Sequence, residues 1–317
     1  MKLATFDIGS NTVLMLAAEV DERRQPRILA ELSRITRLGR GVDKNGRLDP
    51  DSSALTLATL QEFAATAGGL GVERIAAAAT AALRDAADGP EFIARVKERA
   101  GIELQIIPGA EEAALSHLAV VRGLSLDPSL PLLIVDIGGG STELIRAEAG
   151  TELKLVSLQI GSVRLTERCV HSDPPSDADT AALCATIEGA LDGLGWGRFR
   201  PARVVGIAGT VTTLCGVALG LHSYDSGVVH GRRLPRTEVG RVIDLLRSLP
   251  QAERLKLPGL PEGRADVLFA GATILEHVLE RFGASEVTVS DQGVRWGLLW
   301  REIDRRYPPP KRPVDKP

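Results

Sequence analysis

Val135-Asp136-Ile137-Gly138-Gly139-Gly140-Ser141-Thr142-Glu143 lies between an apolar run, Leu132 to Val135, and the apolar pair Leu144-Ile145. The pattern reads strand, tight turn, strand. The acid ends the first strand, and three glycines let the backbone approach a ligand closely. Successive N–H groups in such a turn form a concave nest for phosphate. The acid beside it can hold a divalent cation that neutralises the same phosphate.

The pattern occurs twice. Phe6-Asp7-Ile8-Gly9-Ser10-Asn11-Thr12 follows Lys2-Leu3-Ala4-Thr5 and precedes the apolar Val13-Leu14-Met15-Leu16. The two acids stand 129 positions apart (136 − 7). One glycine turn with an acid is a weak signal, because glycine marks any tight hairpin. Two matched copies predict two similar lobes, with a phosphate chain and its metal between them.

The 317 residues favour two domains. At 44% hydrophobic and 25% charged the composition is that of a soluble globular protein, and with only 3% aromatic residues Leu, Ile, Val and Ala must fill the core. The net charge of −3 argues against a nucleic-acid partner bound through a broad basic surface. Cys169, Cys184 and Cys215 are scattered and odd in number, which reads as a reduced cytoplasmic chain with buried thiols. The five histidines show no metal-ligand spacing. The N-terminus enters a strand at once, so no signal peptide is expected, and no apolar run is long enough to span a membrane.

In chain order, residues 2–20 form a hairpin around the first turn and 28–35 add a strand. Residues 39–50 read as a loop and 51–67 as a helix. A buried strand at 74–79 runs into Thr80-Ala81-Ala82-Leu83-Arg84-Asp85-Ala86, and Pro90 opens another helix. A strand at 103–107 precedes a helix over 110–122. The second lobe repeats the opening, with strands at 132–136, 142–147 and 152–158. Helices follow at 161–169 and 177–191. The strand 203–207 ends in Ala208-Gly209-Thr210-Val211-Thr212-Thr213-Leu214, again a glycine turn and a helix start. Helices over 237–249 and 265–282, a strand at 286–290 and a helix from 293 to 303 complete it. The boundaries expected are 1–125 and 126–305, with a disordered Pro- and Lys-rich tail over 306–317.

With these residues in view, the chain resembles the exopolyphosphatase/guanosine pentaphosphate phosphatase (Ppx/GppA) family of the actin, Hsp70 and hexokinase superfamily. The matching segments are Asp7-Ile8-Gly9-Ser10-Asn11, Thr80 to Ala86, Gly109-Ala110-Glu111-Glu112-Ala113, Asp136 to Glu143, Gly161 to Glu167, Gly206 to Leu214 and Arg264-Ala265-Asp266. Several segments in the right order are far more specific than any one of them. The resemblance implies an α/β fold of two actin-like (ribonuclease H-like) lobes, mixed sheets flanked by helices, with the active site in the cleft between lobes. Long members carry further C-terminal helical domains, and this chain stops after the second lobe. Pro108 stands where Ser is usual, and Trp296 where Glu is common.

Each candidate residue has a functional and a structural reading. Asp7 and Asp136 would bind Mg2+, with Mn2+ as the substitute; an aspartate opening a tight turn is the plain alternative, disfavoured by its recurrence in matched context. Gly9, Ser10, Asn11, Gly138, Gly139, Gly140 and Ser141 would give N–H and hydroxyl bonds to phosphate, and hairpin geometry alone also explains the glycines. Glu111 and Glu112 sit in the first turn of a helix, where acids favour the dipole. Periodicity does not choose between them; the resemblance points to Glu112 as the base that orients water. Glu143 is a site acid for water or metal, or an ordinary strand acid; the resemblance favours the site. Arg84 would clamp a phosphate through its planar fork. Thr210 is a phosphate contact at a helix start or a plain cap. Arg164, Arg264 and His230 receive no role, and His117 is read as packing or surface. The basic run Arg23 to Arg47 is a wall for a polyanion or a solvated face.

The resemblance implies hydrolysis of a terminal phosphate, with inorganic polyphosphate the first substrate and pppGpp the second. It leaves room for a homodimer. Readings from other classes are an ATP-dependent kinase of the same superfold, which needs an acceptor pocket, and a non-catalytic filament protein, which needs neither Glu112 nor Arg84.

Overall fold

The computed structural model describes residues 1–197 and 199–308, the side chain of Asp43 excepted. The predicted tail lies, from residue 309 on, outside the described residues. The chain forms two compact units, one of Met1–Ile107 with the segment from Val294, the other of Pro108–Gly293.

The first unit opens with β1 (Lys2–Ile8), β2 (Thr12–Val20) and β3 (Pro26–Ile35). A one-turn helix α1 (Val42–Asn45) interrupts the expected loop, and α2 (Pro50–Gly69) follows. Its start is fixed by Pro50 in the first turn and by the Asp49 carboxylate, which accepts from Ser52 N at 2.9 Å. Then come β4 (Arg74–Ala79), α3 (Ala81–Asp85), α4 (Gly89–Ala100) and β5 (Leu104–Ile106). The sheet order is β3-β2-β1-β4-β5. β1, β2 and β3 are antiparallel, and β4 and β5 run parallel to β1.

The period-two alternation of β1 divides its side chains between two faces. Ala4, Phe6 and Ile8 enter one core with Leu60 and Phe63 of α2 and Phe92 of α4. Phe6 and Phe92 are fully buried, and truncating either to Ala costs about 3–5 kcal/mol by lost transfer energy and cavity. Leu3, Thr5 and Asp7 therefore point to the opposite face.

The second unit begins with α5 (Gly109–Gly123), then β6 (Leu132–Ile137), β7 (Thr142–Ala147) and β8 (Lys154–Leu158). Next are α6 (Ser162–Cys169), α7 (Asp177–Asp192), β9 (Arg203–Ile207), α8 (Ala208–Leu219), α9 (Ser226–Val229) and β10 (Arg233–Pro235). Helices α10 (Arg236–Ser248), α11 (Gln251–Arg254) and α12 (Leu268–Phe282) precede β11 (Glu286–Val289). The start of α7 carries a capping box between Ser176 and Asp179. Ser172 and Ser176 donate to the Asp179 carboxylate and hold it well below the usual range. The sheet order is β10-β11-β9-β6-β7-β8, with β6, β7 and β8 antiparallel and β9 and β11 parallel to β6. It is the first sheet's plan with β10 added at one edge.

Leu133, Val135 and Ile137 of β6 face the large core built with α6, α7, α8 and α12. Leu132 and Ile134 face the other way, onto Ala113 and Val120 of α5. The last helix, α13 (Val294–Arg306), returns to the first unit and packs on β1, β2 and β4. The Thr5 hydroxyl donates to its Arg295 carbonyl at 2.8 Å. The units thus divide at 107/108 and 293/294 rather than at 125/126, because α5 buries its apolar stripe on the second sheet and α13 on the first.

Candidate active site

In the first unit the tip between β1 and β2 is shaped by its hydrogen bonds. Gly9 N–H donates to the Thr12 carbonyl at 3.1 Å, closing the turn. The Ser10 carbonyl accepts from Gly39 N at 2.8 Å, and the Asn11 carbonyl from Thr36 N and Arg37 N at 3.0 Å each. A trans peptide holds its N–H opposite its C=O. With these carbonyls turned to the 36–39 loop, the N–H groups of Asn11 and Thr12 face away from it. That is the geometry of an anion nest.

Asp7 ends the strand on the α13 face. The residue keeps some surface, but its carboxyl group lies deep, and burial pushes its pKa up from 3.8 to about 6, against the pull of the Arg295 cation. Arg295 is itself ion-paired with Glu31. Thr80 N donates to the Ile8 carbonyl at 3.3 Å, which sets α3 beside the turn. Arg84 on that helix donates to the Ile107 carbonyl at 3.1 Å and stands 3.9 Å from Asp85.

In the second unit Gly138 N–H donates to the Ser141 carbonyl at 3.0 Å, repeating the first turn. Here α6 takes the place of the bracing loop. The Gly138 carbonyl accepts from Ser162 N at 2.9 Å, and the Gly139 carbonyl from Val163 N and Arg164 N at 3.0 Å each. Arg164 Nε donates to the Gly140 carbonyl at 2.6 Å, which gives that arginine a positioning part the sequence did not show. The N–H groups of Gly139, Gly140 and Ser141 therefore face the side away from α6. This close approach requires Gly161: a methyl there would sit 2.4 Å from the Gly139 carbonyl oxygen.

Asp136 pairs with Glu143 across β6 and β7, and Glu143 with Ser157 across β7 and β8. The alternation of each strand puts all three on the face that α5 covers. The Ser141 and Ser157 hydroxyls both donate to Glu143 Oε1, at 2.6 and 2.7 Å. Ser141 thus presents its N–H to the turn's open side while its hydroxyl holds the acid. Glu112 is half-buried in the first turn of α5, between Glu111 and the buried Ala113. That turn lies over β8: a methyl on Gly109 would meet Leu155 Cδ2 at 3.5 Å, two residues before Ser157. The structure therefore gathers Asp136, Glu143 and Ser141 at one end of one sheet face, with the helix turn that carries Glu112 over that face. Among the described residues no three His, Cys, Asp or Glu side chains converge as a metal cage.

Thr210 is buried, and its hydroxyl donates to the Ile137 carbonyl at 2.9 Å. It ties α8 to the end of β6, so what Thr210 can offer an anion is its backbone N–H. Beside it, Ala208 holds a left-handed φ of +64°. Arg264 lies against Gly209, where a methyl would fall 1.8 Å from the guanidinium Nη2. Burial alone lowers Arg264 to a pKa of about 10, and no carboxylate pairs with it among the described residues. Only its neighbours Ala265 and Asp266 in a matching segment pointed to it in the sequence. His117 is partly buried, and burial lowers its pKa, in keeping with packing.

Part of the basic run is neutralised. Arg27 pairs with Glu19, Arg34 makes a two-pronged bridge to Glu62, and Arg47 stands 3.6 Å from Asp88. The arginines that flank the first turn are Arg37 and Arg40, on the loop that braces it.

The Ppx/GppA phosphatase family model matches residues 16–306. Exopolyphosphatase 2 of Mycobacterium tuberculosis is 34% identical over 311 residues, covering 94% of this chain and 97% of the relative. The solved structure of the Aquifex aeolicus Ppx/GppA family member superposes with a TM-score of 0.82 at 33% identity, covering 97% of this chain and 99% of that one. An exopolyphosphatase from Cytophaga hutchinsonii gives a TM-score of 0.87 at 27% identity, over 96% and 98% of the two chains. The two mixed sheets flanked by helices share the actin-like plan of these structures. On sequence and fold together, the chain belongs to the Ppx/GppA phosphatase family.

Proposed function

We propose that this chain is an exopolyphosphatase, a metal-dependent hydrolase that removes the terminal phosphate of inorganic polyphosphate as orthophosphate. The observation that carries the reading is the row of Asp136 and Glu143 beside a phosphate nest, with the Glu112-bearing start of α5 over the same face. In-line phosphoryl transfer to water needs an anion cradle, charge neutralisation and an oriented water, and little covalent chemistry.

The backbone N–H groups of residues 139–141 hold phosphate oxygens, and those of Asn11 and Thr12 serve the same purpose in the first unit. Glu112 takes the proton of the attacking water. Arg84 and the buried Arg264 supply cationic contacts to phosphate. Two carboxylates in one row, with no third ligand converging among the described residues, suit Mg2+ (or Mn2+) that completes its shell with water and phosphate oxygens. Asp136 and Glu143 would hold the ion in the second unit, with Asp7 the corresponding metal-binding acid of the first, and the ion when bound would spread the charge that develops on the transferring group.

The test is phosphate release with Mg2+ from short polyphosphate, long polyphosphate, pppGpp and ATP, measured side by side. Release from polyphosphate well above the nucleotides is expected. Release mainly from pppGpp would move the chain to the guanosine pentaphosphate phosphatases. No release from any of the four by folded protein would sink the hydrolase reading.

A further inference from the structure

The two units carry the same row of strand positions with different chemistry. In the first, Asp7 pairs with Leu14, and Leu14 with Ser33. In the second, Asp136 pairs with Glu143, and Glu143 with Ser157. An acid replaces an apolar residue in the middle of the row, and only there does the flanking serine have a charged group to bind. Ser157 lies on β8, the edge strand, where a serine has no packing duty, yet its hydroxyl donates to Glu143 Oε1 at 2.7 Å. Ser141, from the turn itself, reaches the same oxygen at 2.6 Å.

A glutamate on a strand has three rotatable bonds and sweeps a wide arc when one contact holds it. Two donors on the same oxygen, one from the turn and one from the neighbouring strand, anchor that oxygen and narrow the arc the carboxylate can sweep. Hydrogen bonds to a charged acceptor are about twice as strong as neutral ones. We infer that Ser157 is a positioning residue, which with Ser141 locks the Glu143 carboxylate in the orientation that hydrolysis requires. The inference rests on the reading of Glu143 as a site acid and adds to it a residue on a different strand.

The test compares Ser157→Ala, Ser157→Val and Ser157→Thr in the full chain, alone and combined with Glu143→Gln. Valine and threonine have nearly the same shape and both favour strands, so they differ in the hydroxyl alone. Loss of one bond to a carboxylate is expected to lower kcat about ten-fold, with KM and thermal midpoint close to wild type. Thr should restore most of the activity and Val should not. In the Glu143→Gln background the Ser157→Ala change should cost nothing further, because the group it acts through is gone. A crystal structure of Ser157→Val should show the Glu143 carboxylate displaced. Wild-type kcat in Ser157→Ala with a damaged Glu143→Gln would overturn the inference and leave the site reading standing. Losses that multiply in the double variant would also overturn it, since Ser157 would then act apart from Glu143. Full activity in Glu143→Gln would sink both.

Discussion

Replacing Asp7 by Asn should make the metal-free protein more stable at neutral pH while removing its activity. The carboxyl group is raised from 3.8 to about 6, mainly by burial. The folded chain therefore holds that proton more tightly than the unfolded chain does. Below about pH 4 both states are protonated and the site costs nothing. As pH rises from about 4 to about 6 the unfolded state sheds its proton first and stability falls, and above about 6 the whole penalty is present. A difference of about 2 units, at about 1.36 kcal/mol each, amounts to about 3 kcal/mol, and the residue's partial exposure trims it to roughly 2–3 kcal/mol. Asn has the same shape and no charge. Urea denaturation in chelator near pH 7.5 should show Asp7→Asn more stable by that amount, and near pH 4 the gap should close. Saturating Mg2+ should shrink it from the other side, because the wild type, with its Asp7 carboxylate, gains more from binding the ion. An Asn variant that is no more stable near pH 7.5, or is equally stabilised near pH 4, would refute the argument from burial.

Glu112→Gln should fold normally and lose about 10²–10⁴-fold in kcat, read by phosphate release alongside a thermal melt. Ala208→Gly should raise stability slightly. Relief of a left-handed alanine, roughly 1–2 kcal/mol, exceeds the roughly 0.5–1 kcal/mol of extra chain entropy, and a denaturant midpoint at or below wild type would contradict it. Gly209→Ala places a methyl 1.8 Å from the Arg264 guanidinium, so KM for the phosphate substrate should rise as that group is driven from its seat. Gly161→Ala meets backbone instead, 2.4 Å from the Gly139 oxygen; it should lower both activity and melting temperature, because neither backbone can give way.

The parts of this molecule that were legible in its sequence are those fixed by local pattern. Both turns and their flanking strands follow from apolar runs broken by glycine, and Arg203–Ile207 falls where its apolar run lies. The assignment of α5 and α13 to units was not legible. It depends on which sheet face an apolar stripe covers, and α13 covers a sheet whose first strand lies some 290 residues upstream, as the bond from Thr5 to Arg295 records. The neutralising of Arg34 by Glu62 was hidden for the same reason, since the partner sits 28 positions away on another element. Thr210 shows the limit at atomic scale. Its place at a strand-to-helix junction was readable, but only the structure turns its hydroxyl to the Ile137 carbonyl.

The duplication itself explains why the first unit could be recognised more easily than its chemistry could be assigned. Matched hairpins preserve the backbone nest, because the nest needs only a closed turn whose carbonyls are held from behind. A loop does this in one unit and a helix in the other. What the hairpins do not share is the side chain opposite the aspartate, Leu14 in one and Glu143 in the other. The helix packed on that face differs too, presenting Arg295 near Asp7 but Glu112 in the second unit. One copy therefore sets an acid beside a cation, while the other sets two acids side by side in one row, with the Glu112-bearing helix over the same face. Two copies of one hairpin thus keep a common backbone plan while differing in charge at a few positions of a single row.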